Sequence, residues 1–280
     1  MKILIVDRKL KHAGWKEKEG EVLKRAFEKI GEQVTIAGKG YPNSELSIEE
    51  LSKHHDICII TENYWNDWAW WSWSDIKTPK YIWSIDYEPT TFGDRMSQFV
   101  TRTELDGVFT IDSQINQYME YSTGKRHFYL PYAIFSESKE VKCEKDTDIL
   151  FIGSPYKERL EIFPKETVYR KDLFGEDYYR AICGAKINLN WSLTDAINGK
   201  VFEIISANGF LITNRTKHVS HLFRGYINTY NSKDDLESEV KRCLNDDDYR
   251  EDRRKALHSF CMSYHTYEDR ARSILEIVSK

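Results

Sequence analysis

Ala185-Lys-Ile-Asn-Leu-Asn190, followed by Asp195-Ala-Ile-Asn198-Gly199-Lys200-Val-Phe-Glu203-Ile-Ile-Ser-Ala-Asn208-Gly209-Phe-Leu-Ile-Thr213, decides the architecture. The run at 185–190 has strand length, 201–208 carries apolar residues at helical spacing, and 210–213 is a second apolar run set off by Gly209. A strand, a helix and a strand in that order make a parallel pair whose connecting helix covers one face.

The same rhythm extends outward in both directions. Toward the N-terminus, strands are expected at 2–6, 34–36, 56–61, 80–86, 107–111 and 128–130. The first helix buries Val22, Leu23, Ala26, Phe27 and Ile30 and stops at Gly31. A Ser47-x-x-Glu50 capping box opens a short second helix. Asp112 or Ser113 can cap another, which closes near Gly124. The polar stretch 134–146 interrupts the rhythm and reads as an interdomain linker. The rhythm resumes at 148–152, where Ser154 suits the N-cap and Pro155 the first turn of a helix. Beyond Ser232 the chain looks helical, and Thr266-x-x-Asp269 resembles the cap of the last helix. The expected organisation is an N-terminal domain at 1–133, a linker at 134–146, a second domain at 147–265, and a closing helix at 266–280 that packs back on the first domain. The expected fold class is α/β: two Rossmann-like, doubly wound domains facing a cleft. Such sheets bind ligands at the carboxyl ends of their strands.

Composition agrees. The chain has 280 residues, which at about 150 per domain means one large domain or two small ones. Apolar residues make up 40% and charged residues 31%, with 45 acidic against 41 basic side chains and a net charge of -4. That excludes disordered and collagenous classes and argues against a general polyanion binder. No apolar run reaches the roughly 20 residues of a membrane span. Five scattered cysteines, none in a Cys-x-x-Cys pair, suit reduced thiols in the cytoplasm. Phosphate-loop, serine-hydrolase and zinc-protease motifs are absent from the sequence, His54-His55 lacks partners at metal spacing, and Asp246-Asp247-Asp248 reads as a solvated connection, so no metal site is expected.

The chemistry concentrates where the quoted helix begins. A helix N-terminus offers free N–H groups and partial positive charge, Lys200 adds a full one, and the combination suits a phosphate. Glu203, one turn on, can accept hydrogen bonds from ribose hydroxyls. The plain alternative is an amphipathic helix with a solvated polar end. Gly153 can let a phosphate approach the backbone closely, or can simply mark a turn.

At Lys200-Val-Phe-Glu203-Ile and Asn208-Gly-Phe-Leu-Ile-Thr213, the sequence resembles the acid-x7-acid segment of retaining nucleotide-sugar glycosyltransferases of the GT-B fold, within glycosyl transferases group 1 and in particular the spore-maturation (CgeB-type) branch. Asp148-Ile-Leu-Phe-Ile-Gly153-Ser154 with Glu158-Arg159, Lys186–Asn190, Tyr264–Arg270, Tyr81–Pro89 and Leu130–Ala133 are similar in the same order. The resemblance covers most of the chain and is strongest from 147 to 270. It implies that Glu203 holds the donor ribose, that Lys200 and Arg159 neutralise the diphosphate, and that Gly153, Ser154 and Asn198 line the donor site. Asp195 stands where related families often carry glutamate, at the transferred sugar. The resemblance also implies retention of configuration, no metal or other cofactor, and a nucleotide-sugar such as a UDP-sugar as co-substrate. Fixed cations at a departing diphosphate fit that chemistry on physical grounds alone.

The acceptor side is read from the first half. Asp86 ends an expected central strand and can take an acceptor proton, or can start the turn before Pro89. Gly14 lies in the first strand-to-helix loop. Trp65, Trp68, Trp70, Trp71 and Trp73 are too many for one buried strand, and Trp65, Trp68 and Trp71 are candidates to stack on a sugar or an extruded base. A glycan, a protein and a modified DNA base all fit as acceptors. The alternative from another class is a non-catalytic module that holds a nucleotide or glycan.

Overall fold

The computed structural model describes residues 1–8, 19–42, 47–61, 73–85, 99–101, 103–114, 116–137 and 139–280. It divides into two compact units, Met1–Pro131 with Arg270–Lys280, and Tyr132–Asp269.

In the first unit the described elements are β1 (Lys2–Val6), α1 (Glu19–Lys29), β2 (Gln33–Ala37), α2 (Ile48–Ser52), β3 (Ile57–Thr61), β4 (Lys80–Ser84), β5 (Gly107–Thr110), α3 (Asn116–Thr123) and β6 (Arg126–Tyr129). The strands form one sheet in the order β2-β1-β3-β4-β5-β6. Every neighbouring pair is parallel. Ile3 to Val6 and Ile57 to Thr61 are buried without a break, as strands covered on both faces must be. α1 turns Val22, Leu23, Ala26 and Phe27 inward and ends before Gly31, whose φ of 93° needs a residue without a Cβ. Ser47 caps α2 by accepting from Glu50 N–H at 3.0 Å. Trp73 belongs to the core: it is 3% exposed and meets Phe99 edge-on with centroids 6.3 Å apart.

The second unit holds β7 (Thr147–Ile152), α4 (Lys157–Ile162), β8 (Val168–Arg170), α5 (Gly175–Gly184), β9 (Ala185–Asn190), α6 (Gly199–Ser206), β10 (Leu211–Asn214), α7 (Lys217–Phe223), β11 (Asn228–Tyr230), α8 (Lys233–Asn245) and α9 (Asp247–Tyr264). α10 (Tyr267–Val278) starts here and crosses into the first unit at Arg270. The sheet order is β11-β10-β9-β7-β8, again parallel throughout. Residues 134–146 fall in this unit, with Ile134 and Phe135 buried and Ile134 bridged to Thr266. Thr266 and Asp269 form a reciprocal cap, Asp269 N–H donating to Thr266 Oγ1 at 3.2 Å and Thr266 N–H to Asp269 Oδ2 at 2.9 Å.

One expectation needs correction. Ser154 and Pro155 do not open α4. The helix begins at Lys157 with Tyr156 at its N-cap and no side-chain cap. The chain turns at Pro155 instead, and the Ser154 carbonyl accepts from Arg159 Nη1 at 2.8 Å and from Tyr156 N–H at 3.0 Å.

Candidate functional site

The chain leaves β7 to the β8 side and later returns to place β9 on the other, so the order of the second sheet reverses between β7 and β9. The carboxyl ends of two strands flanking such a reversal form the crevice where open α/β sheets take ligands. Here those ends are Ile152-Gly153 and Asn190.

Gly153 has φ 145°, and its N–H donates to Arg170 O at 2.8 Å. A Cβ at this position would lie 2.8 Å from Lys200 Nζ and 3.1 Å from the Phe151 ring. The bare backbone therefore makes the space that Lys200 occupies. Lys200, in the first turn of α6, donates to Ile152 O and places its ammonium 4.7 Å from the Phe151 ring centroid. Arg159, from α4, brings its guanidinium to 4.9 Å from the same centroid and 4.9 Å from that of Tyr156. Its Nε is buried and has no hydrogen-bond partner.

Burial first, then the neighbouring Arg159 charge, pushes the Lys200 ammonium down to about 8, against a smaller opposing pull from Glu203. Burial also lowers the Arg159 guanidinium from its ordinary value. Two like charges thus share one aromatic ring at a strand mouth, and a bound anion would relieve both.

Asn198 occupies the N-cap of α6 but does not cap it. Its amide Nδ2 donates instead to Asn190 Oδ1 at 3.2 Å and to Ser192 Oγ at 3.3 Å, and its Oδ1 is buried without a partner. The leading N–H groups of α6 are left without a side-chain acceptor, which suits an anion at that helix mouth. A lattice of polar side chains fixes this arrangement. Asn190 Nδ2 donates to Thr213 Oγ1 at 2.9 Å, and Ser192 and Asn214 exchange hydrogen bonds at 2.8 and 2.9 Å.

The structure thus brings Gly153, Arg159, Asn198 and Lys200 to the neighbouring ends of β7 and β9, with exposed Ser154 beside Arg159. Glu203 follows one turn along α6, half-buried, and accepts from the Tyr178 hydroxyl at 2.6 Å. Asp195 lies half-buried in the loop before α6, and its backbone carbonyl accepts from Thr216 Oγ1 at 3.2 Å. Gly14, Trp65, Trp68, Trp71 and Asp86 lie outside the described residues. Sequence reasoning missed Phe151, Tyr178 and the Asn190–Ser192–Asn214 frame. It also missed Asp7, buried at the end of β1, which accepts from Thr61 Oγ1 at 2.7 Å where the first sheet reverses between β1 and β3.

The acidic and histidine pairs have local duties. Asp246 caps α9 by accepting from Tyr249 N–H at 2.9 Å, and Asp247 pairs with Arg250 at 2.6 Å. His55 bridges Leu51 O and Thr35 Oγ1. Among the described residues, no group of three or more His, Cys, Asp or Glu is placed to hold a metal ion.

A family model described as glycosyl transferase-like matches residues 134–276, just over half of the chain. The chain belongs to the glycosyl transferase-like family. Solved structures agree on the fold. An alpha-glucosyltransferase in complex with UDP-glucose and DNA containing an abasic site superposes with a TM-score of 0.71 at 11% identity, covering 100% of both chains. An alpha-glucosyltransferase in complex with UDP and a 13-mer DNA containing a HMU base gives 0.68 at 13% identity, again over 100% of both. T4 phage BGT in complex with its UDP-glucose substrate gives 0.65 at 13% identity, over 99% of each chain. No curated protein matches the sequence. The family assignment and these likenesses make the fold GT-B, with two parallel α/β sheets. Within this glycosyl transferase-like chain, the matched segment contains Gly153, Arg159, Asn198, Lys200 and Glu203. No described helix is long and apolar enough to cross a membrane.

Proposed function

We propose that the chain transfers a sugar from a nucleotide-sugar, of which a UDP-sugar is the first candidate, to an acceptor hydroxyl. Lys200, Arg159 and the mouth of α6 bind the diphosphate, Gly153 and Ser154 line it, Glu203 accepts from the ribose, and Asp195 faces the transferred sugar. The observation that carries this reading is the pair of cations on the Phe151 ring beside an uncapped helix N-terminus. As the bond between the sugar's anomeric carbon and the diphosphate oxygen breaks, negative charge grows on the leaving group. Two fixed cations in a partly desolvated site stabilise that charge, which a metal does in other phosphoryl-leaving reactions. The new bond forms between the anomeric carbon and the acceptor oxygen, and the acceptor proton passes to Asp86. Retention of configuration is part of the proposal and is supported by the resemblance of the 195–203 segment.

The acceptor we propose is a hydroxyl-bearing base in DNA. It is supported by the DNA in two of the similar structures and by Trp65, Trp68 and Trp71, whose rings suit stacking on an unpaired base. The testing experiment is nucleotide release from a panel of nucleotide-sugars with hydroxymethylated and plain duplexes. Release stimulated by the hydroxymethylated duplex supports the whole reading. Release without any duplex effect removes the DNA acceptor, and binding without turnover across the panel would identify a non-catalytic module.

A further inference from the structure

The Tyr178–Glu203 hydrogen bond joins two helices that the sequence keeps apart, with β9 between them. We infer that Tyr178 is the positioning residue for the Glu203 carboxylate, and that through it the site separates ribonucleotides from 2′-deoxyribonucleotides. This inference rests on the reading of Glu203 as the ribose acceptor. The Tyr178 ring is packed against the core of its unit and stands edge-on to Tyr179, centroids 5.4 Å apart and planes at 74°. Its hydroxyl therefore points along a fixed direction. At 2.6 Å from Glu203 Oε2 the contact has the length of a charge-assisted bond. The phenol gives its one proton to the carboxylate, so Glu203 is held in one rotamer and keeps acceptor capacity for a diol. Removing that anchor loosens the carboxylate, and the ordering it loses must be supplied on binding, which costs affinity. The loss would fall on ligands that use the carboxylate and spare those that do not. A site built to accept from a hydroxyl discriminates against the analogue that lacks it.

The test compares wild type, Tyr178→Phe and Glu203→Ala by calorimetric titration. The probes are whichever of UDP, GDP, ADP and CDP binds wild type tightest, and its 2′-deoxy form. Wild type should favour the ribonucleotide by at least about tenfold, the size of one good hydrogen bond to a charged group. Tyr178→Phe keeps the ring packing. It should weaken the ribonucleotide roughly 3- to 10-fold and leave the 2′-deoxy form within about twofold, so the preference contracts. Where turnover is measured, KM should rise with kcat unchanged. Equal weakening of both nucleotides by Tyr178→Phe means a packing role only and overturns the inference. No weakening of either overturns it as well. If Glu203→Ala abolishes the preference while Tyr178→Phe leaves it intact, the inference fails and the donor-site reading stands. If Glu203→Ala leaves the preference intact, or if none of the four diphosphates binds wild type, the donor-site reading fails and takes the inference with it.

Discussion

The Lys200 ammonium and the Arg159 guanidinium lie 4.7 and 4.9 Å from the centroid of one ring, that of Phe151. Neither cation has a carboxylate in an ion pair with it among the described residues, so each carries an electrostatic cost that a diphosphate would convert into binding. The proposed donor site is thus charged before any ligand arrives.

Lys200→Ala and Arg159→Ala should each weaken diphosphate binding by about 10- to 100-fold, the range of a hydrogen bond to a charged group. Neither should lower the melting temperature by more than a few degrees, because each removes a partly buried like charge. Titration calorimetry with UDP, beside thermal melts, checks both halves. Unchanged UDP affinity in both variants would remove the assignment.

The depressed Lys200 ammonium gives binding a pH dependence with a definite sign. The diphosphate binds the protonated form and raises its pKa, so affinity should hold below about 8 and fall as pH rises through that value. The limiting slope is about tenfold per pH unit. Binding at pH 8 should take up protons, visible as a dependence of the calorimetric enthalpy on buffer ionisation. Lys200→Arg should flatten the profile. Stability of the free protein runs the other way. The unfolded chain holds this proton to higher pH than the folded one, so the penalty present below about 8 is relieved between there and the ordinary lysine value of 10.5.

Gly153→Ala should damage the site through the backbone. Its φ of 145° is a glycine conformation, and the added methyl would lie 2.8 Å from Lys200 Nζ. A cost on the order of 1–3 kcal/mol in denaturant unfolding is expected. A fall in UDP affinity should accompany it, because the lysine must move.

Much of this was legible in the sequence. The apolar runs at 2–6, 56–61 and 148–152 and the alternating run at 185–190 were legible as strands, and so was the apolar helix that carries Lys200 in its first turn after Asn198-Gly199. Phe151 was hidden because an aromatic in a buried strand reads as core whether or not cations gather on it. Tyr178 gave no signal, since its partner lies 25 residues away and meets it only through the fold. β8 and β11, three residues each, are too short to show a period. Ser154-Pro155 misled because the usual cap chemistry yielded to a turn in which the Ser154 carbonyl binds Arg159. Asn198 is the reverse case: it stands at an N-cap, yet the Asn190–Ser192 frame claims its side chain and leaves the helix mouth without a side-chain cap.

If the acceptor is DNA, transfer should depend steeply on salt, because backbone phosphates release counterions on binding. Trp68→Ala and Trp71→Ala should then raise KM for a hydroxymethylated duplex while leaving UDP affinity alone. Steady-state rates between 50 and 200 mM salt, roughly the range over which such contacts lose their strength, decide the matter. A flat salt profile would point to a glycan or protein acceptor.

The most direct test of the donor site is a crystal structure of the protein with UDP. The β-phosphate should lie within hydrogen-bonding distance of Lys200 Nζ and an Arg159 nitrogen, over Gly153 and against the first N–H groups of α6. A diphosphate seated elsewhere, with both cations still stacked on Phe151 and untouched by ligand, would contradict the account.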